Sequence, residues 1–273
     1  GVVFAATGFG LGWVNSGADY SRYLPRSTSG KSIFGWTTFG ASIAPVILMV
    51  YGLLLATSNP KVFEKIGGDP IGALTLALPA SASWFLLPYL VLVLFGFMGG
   101  AILDIYSSGL ALLTLGLKLP RPAAAAIDGV LMAIGTVYFV FFASNFFWPF
   151  QAFLYLLGVP IAAWTGIFIA DLSMRRKEYD ASALYSIWGR YHSVNLGAVL
   201  LLIVATVIGF GFVASPDVSI TWTQWEGYFY RALNLTPDNS AWYYSNVGVL
   251  LAVAVGFIGQ LLFGRKAVKR QEG

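Results

Sequence analysis

The chain has no cysteine and a single histidine among its 273 residues. The first absence excludes disulfides, thiol catalysis and cysteine-ligated metal sites. The second excludes a histidine metal cluster, because His192 stands alone beside Arg190 and Tyr191 and reads as part of a solvated basic loop. Charge is scarce as well: 10% of residues are charged, against roughly 25% in an ordinary soluble domain. With 58% hydrophobic residues and a mean hydropathy of +0.74, this is the composition of an integral membrane protein. Enzyme signatures are missing too, with no HExxH, no Walker loop and no Ser/His/Asp set. Gly8-Phe9-Gly10-Leu11-Gly12 has glycines spaced as in a nucleotide fingerprint, but it follows no strand and lies in an apolar segment, which rejects that reading. An intramembrane enzyme would need titratable groups in pairs at depth, and only one acidic residue falls in the middle of an apolar run.

What is present are apolar runs long enough to cross about 30 Å of hydrocarbon, which takes about 20 residues each. They are expected near 34–57, 84–117, 123–144, 150–171, 194–214 and 245–264, after a shorter opening segment ending at Asn15. The run at 84–117 exceeds one straight span and predicts a tilted or interfacial end. Residues 60–83 read as a short amphipathic surface helix, and Asn145 to Pro149 as a tight turn. Loop charge tests this layout. With the loop after the opening segment placed in the cytoplasm, the outer loops hold only Lys61, Lys65 and Arg231 of the 16 lysines and arginines. The positive-inside rule is then met at every crossing, giving about seven spans with the carboxyl terminus in the cytoplasm. The outer loop at 215–244 carries Trp222, Trp225, Tyr228, Trp242 and Tyr243, an interfacial aromatic belt. No charged leader precedes the opening segment, which starts at Gly1 and reads as a truncated helix of a single transmembrane domain covering 1–273.

Two places draw attention. Gly8 to Pro25 has glycines at 8, 10, 12 and 17, each costing about 1 kcal/mol in a helix interior relative to alanine. Either they allow close helix packing, or the helix is broken and its freed backbone groups line a cavity. The other place is Asp104, the acidic residue at mid-span. At helical spacing it shares a face with Phe97, Gly100, Ala101, Ser107 and Ser108. A carboxylate there is costly in lipid and should face the bundle interior or a wet cavity. Asp128 and Asp171, near span ends, read as caps or loop anchors. Pro160, after Gly158, frees a backbone carbonyl and can kink its span.

The stretch GWVNSGADYSRYLP resembles the motif closing the sixth transmembrane helix of the nucleobase–cation symporter family one, of the purine–cytosine permease type. In the same order, LDIYSSGLAL is similar to the family's eighth helix, FLYLLGVPIAAWTGIFIADL and the basic loop after it to the tenth, and VGVLLAVAVGFIGQLLFGRKAVKRQE to the last. The resemblance implies an all-α, polytopic, LeuT-like inverted-repeat transporter of twelve helices, of which this chain would be the sixth onward. It further implies a secondary transporter for a purine or pyrimidine base, with a hydantoin, allantoin or vitamin-type heterocycle as the runner-up. A membrane scaffold or receptor that transports nothing is the reading from another class.

Carried over by position, Gly8, Phe9 and Gly10 match the broken part of the sixth helix, where an aromatic stacks on a flat heterocycle. Asp104 matches an asparagine that hydrogen-bonds the substrate, Gly100 and Ala101 flank it, and Gly158 lies at the corresponding depth of the tenth helix. Two departures stand out. A carboxylate only accepts hydrogen bonds where asparagine also donates, which suits a base presenting N–H groups. Met98 and Gly99 stand where sodium-coupled members carry hydroxyl residues, and hard cations need oxygen ligands. Proton coupling, through Asp104 itself, is therefore favoured over sodium. The expected partners are the base, the coupling ion and the lipid bilayer of the cytoplasmic membrane, with no cofactor, bound metal or nucleic acid.

Overall fold

The apolar runs can satisfy their backbone groups in lipid only as helices or closed barrels, and in a computed structural model of the chain they are helices. The structure describes all residues except 1–2, 4–6, 8–9, 67–68, 117, 143–146, 187 and 192. It is 75% helical, with no strand among the described residues, so the chain is an all-α polytopic membrane protein. The main helices are α1 (Gly30–Ser58), α2 (Leu86–Thr114), α3 (Arg121–Phe141), α4 (Phe147–Met174), α5 (Leu196–Gly211), α6 (Val247–Phe263) and α7 (Arg265–Glu272).

Local chemistry sets their ends. Ser29 Oγ accepts from the Ser32 N–H at 3.1 Å and opens α1; Asn195 Oδ1 accepts from the Ala198 N–H at 3.3 Å and opens α5. Gly116, at φ 86°, stops the turn that follows α2, and Pro122 in the first turn starts α3. The 84–117 run forms α2, 29 residues long, preceded by a 3-10 segment, Ala80–Phe85. The single surface helix expected at 60–83 is instead two, Pro60–Ile66 and Pro70–Thr75. Asp69 divides them: its carboxylate accepts from the Gly72 N–H at 2.8 Å and pairs with Lys65 at 3.3 Å, so it caps a new helix.

Among the described residues four helices are long and apolar enough to cross a bilayer, α1, α2 with its 3-10 lead-in, α3 and α4, or five if α6 and α7 form one bent span. Helix α5 has 16 residues, and α6 continues into α7 only through a bend of 58°. Thr7 and Gly10 are π-helical, Leu11–Trp13 is a 3-10 turn, and Gly17–Ser21 is one short α-helix. Of the turn expected from Asn145 to Pro149, Phe147 to Pro149 instead begin α4, while Asn145, Phe146 and the loop residue His192 lie outside the described residues.

The chain divides into two units, Ser16–Phe147 with α1 to α3, and Gly1–Asn15 together with Trp148–Gly273, which holds α4 to α7. The second has a buried core of Tyr155, Val159, Ala162 and Ala163 from α4, Ala205 and Phe210 from α5, and Val249 and Ala252 from α6. Glycine makes these contacts possible. A Cβ on Gly166 would lie 2.2 Å from the Val253 carbonyl oxygen, and one on Gly256 would lie 2.5 Å from the Ala163 carbonyl oxygen. The two backbones of α4 and α6 therefore touch, which is how helices associate where apolar surface alone gives no preference over lipid. In the unit of α1 to α3 one such contact between helices occurs among the described residues, where a Cβ on Gly109 of α2 would lie 3.3 Å from the Ala125 nitrogen of α3.

Candidate substrate site

Asp104 sits in the second half of α2, about 15 Å from the helix end at 1.5 Å per residue. Its side chain is exposed and makes no hydrogen bond or ion pair among the described residues. An ionised carboxylate at such a depth costs about 3 kcal/mol against lipid, so this face of α2 is one that water, a ligand or polar protein must meet. One turn earlier Gly100 has open space around the position of a Cβ, and Ala101 is half-buried. Phe97 and Met98 are exposed beside them. The face shared by Gly100, Ala101 and Asp104 is thus open, small and carries one charge.

The hydroxyls one turn further on are occupied. The Tyr20 hydroxyl lies 3.1 Å from both the Leu103 carbonyl oxygen and Ser107 Oγ, and the Tyr23 hydroxyl lies 2.5 Å from that of Tyr106. Ser108 Oγ donates to Asp128 Oδ2 on α3 at 2.5 Å, and it also reaches the Asp104 carbonyl oxygen at 2.7 Å. The sequence reading did not anticipate this cluster. It joins DYSRY to DIYSS, the two stretches that carried the resemblance, and it holds the part of α2 that presents Asp104. Two tyrosines at i, i+3 and three consecutive hydroxyls in an apolar helix were the available signal. Asp128, expected to cap or anchor a loop, is instead a cross-helix acceptor.

In the unit of α4 to α7 the opening stretch lies against α4. Val3 and Leu11 pack against the core of this unit, and Thr7, one turn from each, is only 4% exposed. Thr7 covers Gly158, where a Cβ would lie 2.5 Å from Thr7 Cγ2. Gly158 therefore makes room for the opening stretch. Gly10 is exposed with open space around it, while Gly8 and Phe9 lie outside the described residues. Helix α4 continues through Pro160.

Asp171 is the loop anchor the sequence suggested. It accepts from Arg175 Nε at 2.6 Å, from the Tyr179 hydroxyl, and from Gln260 Nε2 of α6 at 3.2 Å. The Arg175 guanidinium stacks over the Tyr179 ring at 4.1 Å and donates to Gln271 Oε1 at 2.6 Å. Burial and the bond to Asp171 push the Tyr179 hydroxyl up to about 12. A cavity of about 420 Å³ opens beside this group, walled by Trp164, Ile167, Phe168 and Leu202. Of its polar residues, Asp171, Arg175, Gln260 and Gln271 are bonded to one another. At the other end of this unit Glu226 is 2% exposed with neither carboxylate oxygen paired, and burial pushes it up to about 7. No sequence pattern marked it.

A sequence model of permeases for cytosine/purines, uracil, thiamine and allantoin matches residues 1–229, which include every candidate site residue. The tail from α6 onward, which also resembled the family, lies beyond the matched residues. A Bacillus subtilis (strain 168) protein named "Putative purine-cytosine permease YxlA" is 29% identical over 203 residues, covering 72% of this chain and 42% of that protein. The chain thus spans less than half the length of that relative. No solved structure matches the chain.

Proposed function

Since the chain belongs to the family of permeases for cytosine/purines, uracil, thiamine and allantoin, we propose that it forms part of a secondary transporter importing a purine or pyrimidine base, coupled to a proton. The observation that carries this reading is Asp104, an exposed, unpaired carboxylate deep in an apolar helix beside Gly100 and Ala101. An ionised carboxylate accepts from ring or exocyclic N–H groups, and the small residues one turn before it leave room for a flat ring. Phe9 stacks on that ring, and backbone groups of Gly8 and Gly10 bond its edge, in keeping with the irregular helix around Thr7 and Gly10. Gly158 seats the opening stretch rather than touching the base. The assignment of a LeuT-like single domain rests on the family.

Coupling follows from the same carboxylate. Met98 and Gly99 bring no side-chain oxygen one turn and more before Asp104, which disfavours a sodium site of the hydroxyl type. Asp104 can take up a proton when the site is open to one side and release it on the other as helix bundles rock.

The test is uptake of radiolabelled bases by the full-length protein in its membrane. Asp104→Ala should abolish uptake while the protein still inserts; uptake at the wild-type level would overturn the assignment. A competition panel of cytosine, purines, uracil, thiamine and allantoin, with and without sodium at two pH values, separates base from vitamin-type substrates and proton from sodium. Binding of none of them would favour a scaffold that transports nothing.

A further inference from the structure

Where α4 ends at Met174 and α6 bends by 58° into α7, composition changes within a few residues from apolar to basic. That change marks the edge of the hydrocarbon layer. A cavity of about 800 Å³ lies at the junction. Arg176 and Lys177 bound it from the loop after α4, and Arg265 and Lys269 from α7, while Leu261 and Val268 supply apolar wall.

The charges here are only partly answered. Arg175 is turned inward to Asp171 and Gln271. Glu272 Oε1 is taken by the Arg176 and Lys177 backbone N–H groups at 2.6 and 2.9 Å, and Lys177 Nζ donates to the Glu272 carbonyl oxygen at 2.6 Å. These bonds fasten the loop to the end of α7 and so shape the cavity. The side chains of Arg176, Arg265 and Lys269 are exposed and have no hydrogen-bond or ion-pair partner among the described residues. Helix α7 is amphipathic: Val268 and Gln271 are buried, whereas Lys266 and Arg270 are exposed on its outer side. A basic amphipathic helix at the end of a span lies in the plane of the interface, and cationic residues there attract anionic headgroups at about 1 kcal/mol each.

We propose that the cavity between the end of α4 and the α6–α7 bend binds the phosphate headgroup of an anionic phospholipid, with Arg176, Arg265 and Lys269 holding the phosphate oxygens and an acyl chain following Leu261. Arginine suits this task because its planar fork meets two phosphate oxygens at once. The ligand is a lipid rather than free phosphate because the cavity opens at the hydrocarbon edge and carries an apolar wall. This site is separate from the reading of Asp104 and stands whether or not the protein carries bases.

The experiment titrates the purified full-length protein, in neutral detergent, with phosphatidylglycerol, phosphatidylcholine or soluble glycerol phosphate, reading bound lipid by native mass spectrometry and the midpoint of thermal unfolding. Phosphatidylglycerol should bind and raise the midpoint, and the other two should not. Removing three charges in Arg176→Gln/Arg265→Gln/Lys269→Gln should weaken phosphatidylglycerol about a hundredfold. Lys266→Gln/Arg270→Gln removes two charges of the same helix from outside the cavity and should leave binding within about twofold. All five side chains are exposed, so the variants should fold. Equal loss in both variants would reduce the effect to surface charge and overturn the site, as would unchanged binding in the triple variant. Equal binding of glycerol phosphate would overturn the lipid as its ligand.

Discussion

Helices α1 and α4 are of nearly equal length and both apolar, yet half of the most apolar window of α4 is buried and none of that of α1. The difference lies in where their glycines point. In the unit of α4 to α7, Gly166 and Gly256 meet backbone of the facing helix, and Gly209 and Gly248 do the same between α5 and α6. In the unit of α1 to α3, Gly35, Gly40 and Gly52 of α1, Gly96, Gly99 and Gly100 of α2, and Gly129 of α3 face open space. One unit uses small residues to bind its own helices together. The other presents them, together with Asp104, outward. Charge divides the same way: Asp171 is fully engaged in its unit, while Asp104 is unpaired in the other.

The sharpest way to break this contrast is to add one methyl group to each unit. Gly166→Ala should destabilise the full-length protein by about 3 kcal/mol, because backbone rather than a flexible side chain stands in the way. Gly129→Ala should be neutral or stabilising by up to about 1 kcal/mol. Thermal unfolding in detergent measures both, and equal effects would erase the distinction.

Comparable in size is the pH response of Glu226. Its folded value, about 7, is raised by burial above an ordinary 4.5. The folded state therefore holds the proton more tightly than the unfolded one. Stability is greatest below about pH 4.5, falls as pH rises through 7, and is lower by roughly 3 kcal/mol above pH 8. Glu226→Gln should flatten that profile and leave the protein more stable than wild type at pH 8. A profile unchanged by the substitution would mean that another group titrates.

Next is the pair of aspartates. Asp171→Ala strands the buried Arg175 guanidinium and should cost about 3 kcal/mol or somewhat less, since Gln271 still accepts from it. Asp104→Ala should leave the unfolding midpoint within a degree or two while removing uptake. If Asp104→Ala proved the less stable of the two, its carboxylate would be structural and the contrast would reverse. The smallest effect expected is at the clamp on α2. Tyr20→Phe removes a hydroxyl that meets both the Leu103 carbonyl and Ser107, for about 1 kcal/mol. Its readout is an affinity loss for the base larger than the stability loss, because the clamp positions the segment of α2 that carries Asp104.

Much of this was readable beforehand, and the misses share a cause. Asp104 was conspicuous because a single carboxylate in an apolar run has no local explanation. Asp171 was legible as an anchor because Arg175 follows it by one helical turn. Asp128 was misjudged because its partner, Ser108, is on another helix. The two surface helices at 60–83 were merged because apolar pattern outweighed the capping chemistry of Asp69 and Pro70. Glu226 had no signal at all, since nothing near it in the sequence announces that Tyr155 and Asn246 from distant segments will close around that loop.

Hydropathy is a local property, and it determined that the chain is helical and membrane-embedded and roughly where its apolar runs lie, while the ordered motifs from GWVNSGADYSRYLP onward carried the resemblance to its family. Burial and pairing depend on what arrives from elsewhere in the chain. Tyr20 meets Ser107 across 87 positions, and Gln260 meets Asp171 across 89. Only the tertiary structure could decide which glycines are contacts and which are open ground, or leave one aspartate bonded and another bare. The reason is physical: in lipid every apolar helix face is solvated alike, so the sequence of a span says that it is buried in something without saying in what.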